Sequence, residues 1–233
     1  MDFDYSFNET DGVIFDLDGT LWDSTQEIAD AWNELLKTRP DIIRVPITRE
    51  ELFSNMGLPM YDIAANLFPN ERPEVRNALM DDMGIFENGY LEERGAVLFD
   101  GVAETVEKIA EKVPVFIVSN CQDGYIEAFM KAHAFEGVFK DHECWGRTGM
   151  SKAENIKAVI DRNNIKKPVY IGDTDSDSKA CANAGVIVPR FFSVRRQSVR
   201  FLQTTLNGSP SAVSGTPYCF AYCLQVIGVF SCL

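Results

Sequence analysis

The stretch IFDLDGT, Ile14 to Thr20, places two carboxylates, Asp16 and Asp18, one residue apart at the end of an apolar run and follows them at once with Gly19. Two more polar clusters end apolar runs in the same way. Ser119 and Asn120 close VPVFIVSN, and Asp173 and Asp177 lie in GDTDSD after VYI, with Lys152 at the start of the segment before that run. Brought to one point, Asp16, Asp18, Asp173 and Asp177 would repel one another by roughly several kcal/mol, so a divalent cation is the economical counter-charge. Hard oxygen donors suit Mg²⁺, which keeps some of its waters and shares itself with a phosphate. With the repulsion screened, an aspartate can attack phosphorus, form an aspartyl-phosphate and divide one hard hydrolysis into two easier steps. One carboxylate of the first pair is then the nucleophile and its neighbour but one the proton carrier. Ser119 with Asn120, and Lys152, would hold phosphoryl oxygens, and the turn at Gly19 and Thr20 would complete the cradle with backbone N–H groups.

Each piece has a plainer reading when taken singly. A lone DxDG is a turn or a fragment of a calcium loop, a lone Ser-Asn is a turn, and GDxxxD is a helix start with acids favoured by the dipole. Lys152 alone is a solvated helix residue. It is the ordered set, each member following a strand pattern, that carries the chemical reading.

The elements that must position these groups can be read from periodicity. Gly12 to Phe15, Val113 to Val118 and Val169 to Gly172 are short runs rich in β-formers, and Val186 to Val188 adds a fourth. Helical spacing appears from Asp23 to Thr38, with Ser24 or Thr25 as N-cap, and again over Tyr61 to Leu67, Glu74 to Gly95, Gly124 to His133 and Lys152 to Arg162. Thr48 with Glu51 is a capping box. Alternating strands and helices make a parallel sheet covered on both faces, with its site at the strand C-termini. The fold class expected is therefore α/β, a Rossmann-like three-layer parallel sheet core with an inserted all-helical cap. The boundaries are 1–22 and 97–189 for the core, 23–96 for the cap and 190–233 for an atypical C-terminal tail.

Composition bounds the partners. The chain of 233 residues carries a net charge of −13, which argues against nucleic acid or an anionic membrane. The opening MDFDYSFNET has neither a basic nor an apolar leader pattern, and the six cysteines show no CxxC pair, so a reducing, cytoplasmic setting is expected. All 35 acidic residues fall at or before Asp177, whereas Ser178 to Leu233 carries Lys179, Arg190, Arg195, Arg196 and Arg200 and no acid. An abrupt loss of acids is what a changed reading frame near Val186 to Arg190 produces. A functional tail is the alternative. Tyr218 to Leu233 falls short of the roughly 20 apolar residues that a spanning helix needs.

FDLDGT, VSN, the lysine of SKAEN and GDTDSD resemble, in this order, the four motifs of the haloacid dehalogenase-like hydrolase superfamily. The resemblance covers Gly12 to about Val188. FDLDGTLWDS is similar to the phosphoglycolate phosphatase-like branch, and the helical insert resembles a C1-type cap. The resemblance implies that Asp16 is nucleophile and metal ligand, and that Asp18 is general acid and then base, binding metal through its backbone carbonyl. It implies further that Ser119 and Lys152 contact phosphate, Asp173 ligates Mg²⁺ and Asp177 supports it. Dehalogenases lack the second aspartate, so Asp18 favours phosphate ester chemistry. Two alternatives stay open: a phosphosugar mutase like β-phosphoglucomutase, and a catalytically silent or unstable product of the altered C-terminus. The substrate expected is a small phosphorylated metabolite, with SNMGLPM, Ser54 to Met60, as the cap loop that reads it. Trp22 and Trp32 are expected simply to pack.

Overall fold

The computed structural model describes residues 10–186 in full, and beyond them the backbone of Phe191–Phe192, Val199–Gln203 and Ser211–Gly215. The central sheet has the order β5-β4-β1-β6 and is wholly parallel, built from β1 (Gly12–Phe15), β4 (Val115–Ser119), β5 (Phe139–Cys144) and β6 (Pro168–Ile171). All four residues of β1 are buried, which is the pattern of a strand covered on both faces. Its period of two divides them: Val13 and Phe15 enter one apolar cluster and Ile14 the other. On the Ile14 side lie α8 (Lys152–Asn163) and α9 (Asp175–Asn183), through Ile156, Val159 and Ala180. On the Val13 side lie α5 (Val102–Ala110) and α6 (Tyr125–Ala132), through Val106 and Phe129.

Between β1 and β4 the chain leaves the sheet. Two short strands, β2 (Trp22–Asp23) and β3 (Val97–Leu98), pair antiparallel, Trp22 against Leu98 and Asp23 against Val97, and so tie the exit to the return. The helices α1 (Thr25–Leu36), α2 (Arg49–Phe53), α3 (Met60–Leu67) and α4 (Pro73–Arg94) lie between them. The ends of α1, α3 and α4 fall within two residues of those expected, and α2 starts where the Thr48–Glu51 pair places it. Pro73 opens α4 at its first position and Gly95 ends it with φ 68°. Thr48 accepts from the Glu51 amide and starts α2. The cap of α1 differs from expectation: Ser24 occupies the N-cap position but makes no side-chain capping bond. Asp23 Oδ1 accepts from the Thr25 amide at 3.3 Å instead, and the Ser24 hydroxyl is spent on Asp18.

Two elements escape the periodicity argument. Strand β5, FKDHEC, alternates no apolar face, because it is the edge of the sheet and its acids are paired from outside. Arg162 of α8 bonds Asp141 at 2.6 Å and Glu143 at 2.9 Å. The β2–β3 ribbon is missed because two residues per strand give no period. In the tail, β7 (Phe191–Phe192), β8 (Val199–Gln203) and β9 (Ser211–Gly215) pair as an antiparallel three-stranded sheet. The expected strand Val186 to Val188 lies mostly outside the described residues, as do Arg190, where the frame change is expected to end, and Tyr218 to Leu233. No helix among the described residues is long and apolar enough to cross a membrane.

Candidate active site

Parallel register delivers the site. Phe15 pairs with Ile117 on one side and with Ile171 on the other, so the residues that follow each strand emerge along one edge of the sheet. Asp16 follows β1, Ser119 ends β4, and Asp173 stands two residues beyond β6. Carboxylate oxygens of Asp16, Asp173 and Asp177 lie within 4.8 Å of one another, all three side chains being buried. Gly19 makes this approach possible. Its φ is +81°, and a Cβ there would stand 2.6 Å from Asp173 Oδ2, so only glycine fits the turn.

Lys152 is the counter-charge. It occupies the first position of α8, which Ser151 and Glu154 start with a reciprocal capping box. Its ammonium donates to Asp16 Oδ1 at 2.7 Å and to Asp177 Oδ1, and the side chain is 8% exposed. Burial opposes the lysine charge, but Asp16 and Asp177 outweigh it and raise the lysine pKa. Burial likewise opposes ionisation of Asp177, yet Lys152 and the Thr174 hydroxyl hold its carboxyl below the usual range. Asp16 moves the other way: burial first, then the charge of Asp177, pushes its carboxyl well up, despite Lys152. Asp16 and Asp177 thus share one lysine, and the less comfortable of the two is Asp16. A divalent cation among oxygen donors would relieve this, so the donor set fits Mg²⁺ chemistry.

Asp177 does two jobs. Its Oδ2 accepts from the Thr174 amide at 3.0 Å and from the Thr174 hydroxyl, completing the N-terminal box of α9, while Oδ1 faces Lys152 and Tyr170. The plain reading, a helix start, holds for a residue that also pairs with Lys152.

The side chain of Asp18 is not in the acid cluster. Its Oδ1 accepts from Trp22 Nε1 at 2.8 Å, Ser24 Oγ at 2.8 Å and Tyr125 OH at 2.7 Å, which turns the carboxylate toward α1 and α6. Burial raises its pKa in spite of these three donors. Trp22 therefore does more than pack, and the same is true of Trp32, whose indole donates to Glu87.

Asp16, Asp18, Gly19, Asn120, Lys152, Asp173 and Asp177 line one cavity of about 460 Å³. Ser119 is buried, its Oγ accepting from the Cys121 amide at 3.3 Å, and it lines an adjoining recess together with Asp16 and Lys152. Thr20, expected at the phosphate cradle, is fully buried and lies outside both linings. Its amide donates to Leu17 O at 3.2 Å and that of Gly19 to Trp22 O at 2.9 Å, so the turn uses both N–H groups to close on itself. The Asn120 amide reaches the insert, donating to Gly57 O at 2.9 Å. That contact brings the SNMGLPM loop to the site, where Met56 and Gly57 line the cavity. Tyr125, Glu87 and Arg49, whose guanidinium pairs with Asp23 at 2.6 Å in the same cavity, were legible in no motif. They come from α6, α4 and α2 and meet their partners only on folding.

A parallel α/β sheet whose strand ends gather aspartates around one lysine defines the fold and the candidate active site. The chain belongs to the haloacid dehalogenase-like hydrolase family, which matches residues 13–190. In structure it is similar to a putative haloacid dehalogenase-like hydrolase from Bacteroides fragilis (20% identity, 80% of this chain and 88% of that one, TM-score 0.67). It is also similar to a putative phosphoglycolate phosphatase from Lactobacillus plantarum (16%, 78% and 84%, TM-score 0.63). A third likeness is to CbbY from Rhodobacter sphaeroides, solved in complex with phosphate (16%, 76% and 84%, TM-score 0.64). At these identities the likeness is one of fold. No curated protein matches the chain.

Proposed function

We propose that the chain is a Mg²⁺-dependent phosphatase that hydrolyses a small phosphorylated metabolite through an aspartyl-phosphate on Asp16. The observation that carries this reading is the buried triad Asp16, Asp173 and Asp177 around Lys152, beside a separately held Asp18, in one cavity. The phosphatase-named and phosphate-bound relatives of the same fold support it. Asp16 and Asp173 would hold the cation, with the backbone carbonyl of Asp18 completing the protein ligands and Asp177 behind them. When bound, the cation supplies positive charge to the carboxylates and the phosphoryl oxygens alike.

The chain's own residues then divide the work. A carboxylate oxygen of Asp16 forms a bond to phosphorus as the bond from phosphorus to the leaving oxygen breaks, and Asp18 gives its proton to that oxygen. In the second step Asp18 takes a proton from water, the water oxygen attacks phosphorus, and Asp16 is released with inorganic phosphate. Lys152 and Ser119 hold phosphoryl oxygens, and the insert excludes bulk water.

Asp18→Asn keeps an oxygen for Tyr125, Ser24 and Trp22, so its melting temperature should stay within about 2 °C of wild type while turnover falls roughly 10²- to 10⁴-fold. Turnover near wild type would remove the acid–base role. The reading as a whole is tested by a phosphate-release screen over small phosphate esters, with Mg²⁺ and with chelator. Release is expected only with Mg²⁺, together with a Mg²⁺-dependent rise in melting temperature, since a ligand that binds only the native state stabilises it. Sugar-phosphate interconversion without phosphate release would replace the phosphatase reading with the mutase one, and silence under every condition would leave neither.

A further inference from the structure

Glu87 lies in the middle of α4, is 2% exposed and takes no part in the chemistry above. It lines the recess of about 50 Å³ that also touches Asp16, Asp18, Lys152 and Ser119, with apolar side chains such as Ile28 and Leu52 on its insert side. The recess shares Asp16 and Lys152 with the main cavity, so a leaving group attached to a phosphoryl group at Asp16 can extend into it. A water needs only about 10–15 Å³ of such space, so a small polar group fits.

The carboxyl is carefully held. Trp32 Nε1 donates to its Oε2, and Gln122 Nε2 donates to its Oε1 at 3.0 Å and to Asn88 Oδ1 at 3.0 Å. Room for Gln122 comes from Gly84, one turn earlier on α4, where a Cβ would stand 3.2 Å from Gln122 Cγ. A glycine within a helix costs about 1 kcal/mol against alanine, and here it admits the amide that fixes Glu87. No ion pair to Glu87 is present among the described residues. Burial pushes its pKa up to about 8, with the charge of Asp18 adding to the effect and Gln122 and Trp32 opposing it. The carboxyl is then neutral at pH 7, and its partners, both donors, leave its own O–H without an acceptor among them. A ligand hydroxyl, which both accepts and donates, complements such a group. An ammonium would gain no ion pair from a neutral Glu87 carboxyl.

We infer that Glu87, positioned by Gln122 and Trp32, is a specificity-determining residue that binds a hydroxyl of the leaving group, so that the substrates are hydroxyalkyl (polyol-type) phosphate esters. The inference rests on the phosphatase reading for the place of the phosphoryl group. It is tested by calorimetric titration of the full-length Asp16→Asn chain, with Mg²⁺, using hydroxyalkyl phosphates of two to four carbons. Each is compared with its alkyl and its aminoalkyl counterpart.

At least one hydroxyalkyl ester should bind about 10-fold or more tightly than its alkyl counterpart, the discrimination that a site built for a hydroxyl commands. Glu87→Met should bring that ratio within twofold, and Glu87→Gln should retain it. Equal affinities in every pair, a ratio unchanged by Glu87→Met, or tighter binding of an aminoalkyl ester overturns the inference. If Glu87→Met does not fold, because it strands two donors, Gln122→Met frees the carboxyl and makes the same comparison: a lowered ratio supports the inference and an unchanged one overturns it. Failure of the parent reading shows elsewhere, as no phosphate release by the wild-type chain, whereas the binding ratio reports on Glu87.

Discussion

Asp16→Asn is expected to abolish phosphate release, by a factor on the order of 10⁴ or more, while leaving the fold as stable as before or more so. The loss follows from removing the attacking oxygen: an amide oxygen is too weak a nucleophile to displace an alkoxide from phosphorus. The stability follows from electrostatics. Asp16 sits 6% exposed within reach of Asp177 and Asp173, and its raised pKa says that the folded state resists its charge. Asparagine has the same shape, its Oδ1 can still accept from Lys152, and one of three mutually repelling charges is gone. Phosphate release from a chromogenic ester and a thermal melt, run on the same preparation, measure both halves. Turnover within tenfold of wild type would exclude Asp16 as nucleophile, and a large drop in melting temperature would contradict the account of its strain.

The second large effect has the opposite sign for stability. Lys152→Met should lose activity and also cost about 3–5 kcal/mol, because it leaves buried carboxylates without their partner. For a chain of this size that is a fall of roughly 6–20 °C in melting temperature. Lys152 donates to Asp16 and to Asp177 and is only 8% exposed, so its removal leaves two buried carboxylates without the charge that offsets them.

The sign of the pH dependence follows. In the wild type the depressed pKa of Asp177 contributes stability above the unfolded carboxyl pKa and loses it as pH falls through the lower, folded value. Without Lys152 that contribution is gone and the folded carboxyls bind protons more tightly than the unfolded ones. The deficit is therefore largest at neutral pH and narrows as pH falls toward the ordinary carboxyl range, about 3.9. Melts across pH read this directly. A variant as stable as wild type at pH 7 would show that Lys152 is not the counter-charge.

The contrast between Asp16 and Lys152 is why stability and activity are not expected to rise together at this site. Asp16, the nucleophile of the proposed mechanism, stands where burial and the neighbouring carboxylates penalise its charge. Lys152 offsets part of that penalty. Helix α9 begins in the same spirit, with Asp177 capping its own helix and pairing with Lys152 at once.

Much of this was legible in one dimension because the candidate site sits at the ends of buried strands. An apolar run such as GVIF marks the strand, and the polar residues immediately after it emerge at the sheet edge whatever the rest of the chain does. Asp16, Ser119 and Asp173 are placed by that rule, and Lys152 by its position at a capped helix start. Turn chemistry marked Gly19, and propensity marked the helices of the insert.

What sequence could not determine is which side chains of the insert and of the outer helices reach the same place. Ser24 looked like a helix cap and instead holds Asp18, Thr20 looked like part of a phosphate cradle and is fully buried outside the cavity lining, and Tyr125 sits more than a hundred positions from the carboxylate it bonds. Glu87, Trp32 and Gln122 belong to two helices and a loop, and none of their spacings is short enough to appear as a pattern. Local hydrogen bonding and side-chain period act over a few residues and can therefore be read along the chain. The partners of a buried carboxyl are chosen by packing between distant segments, and that choice exists only once the chain has folded.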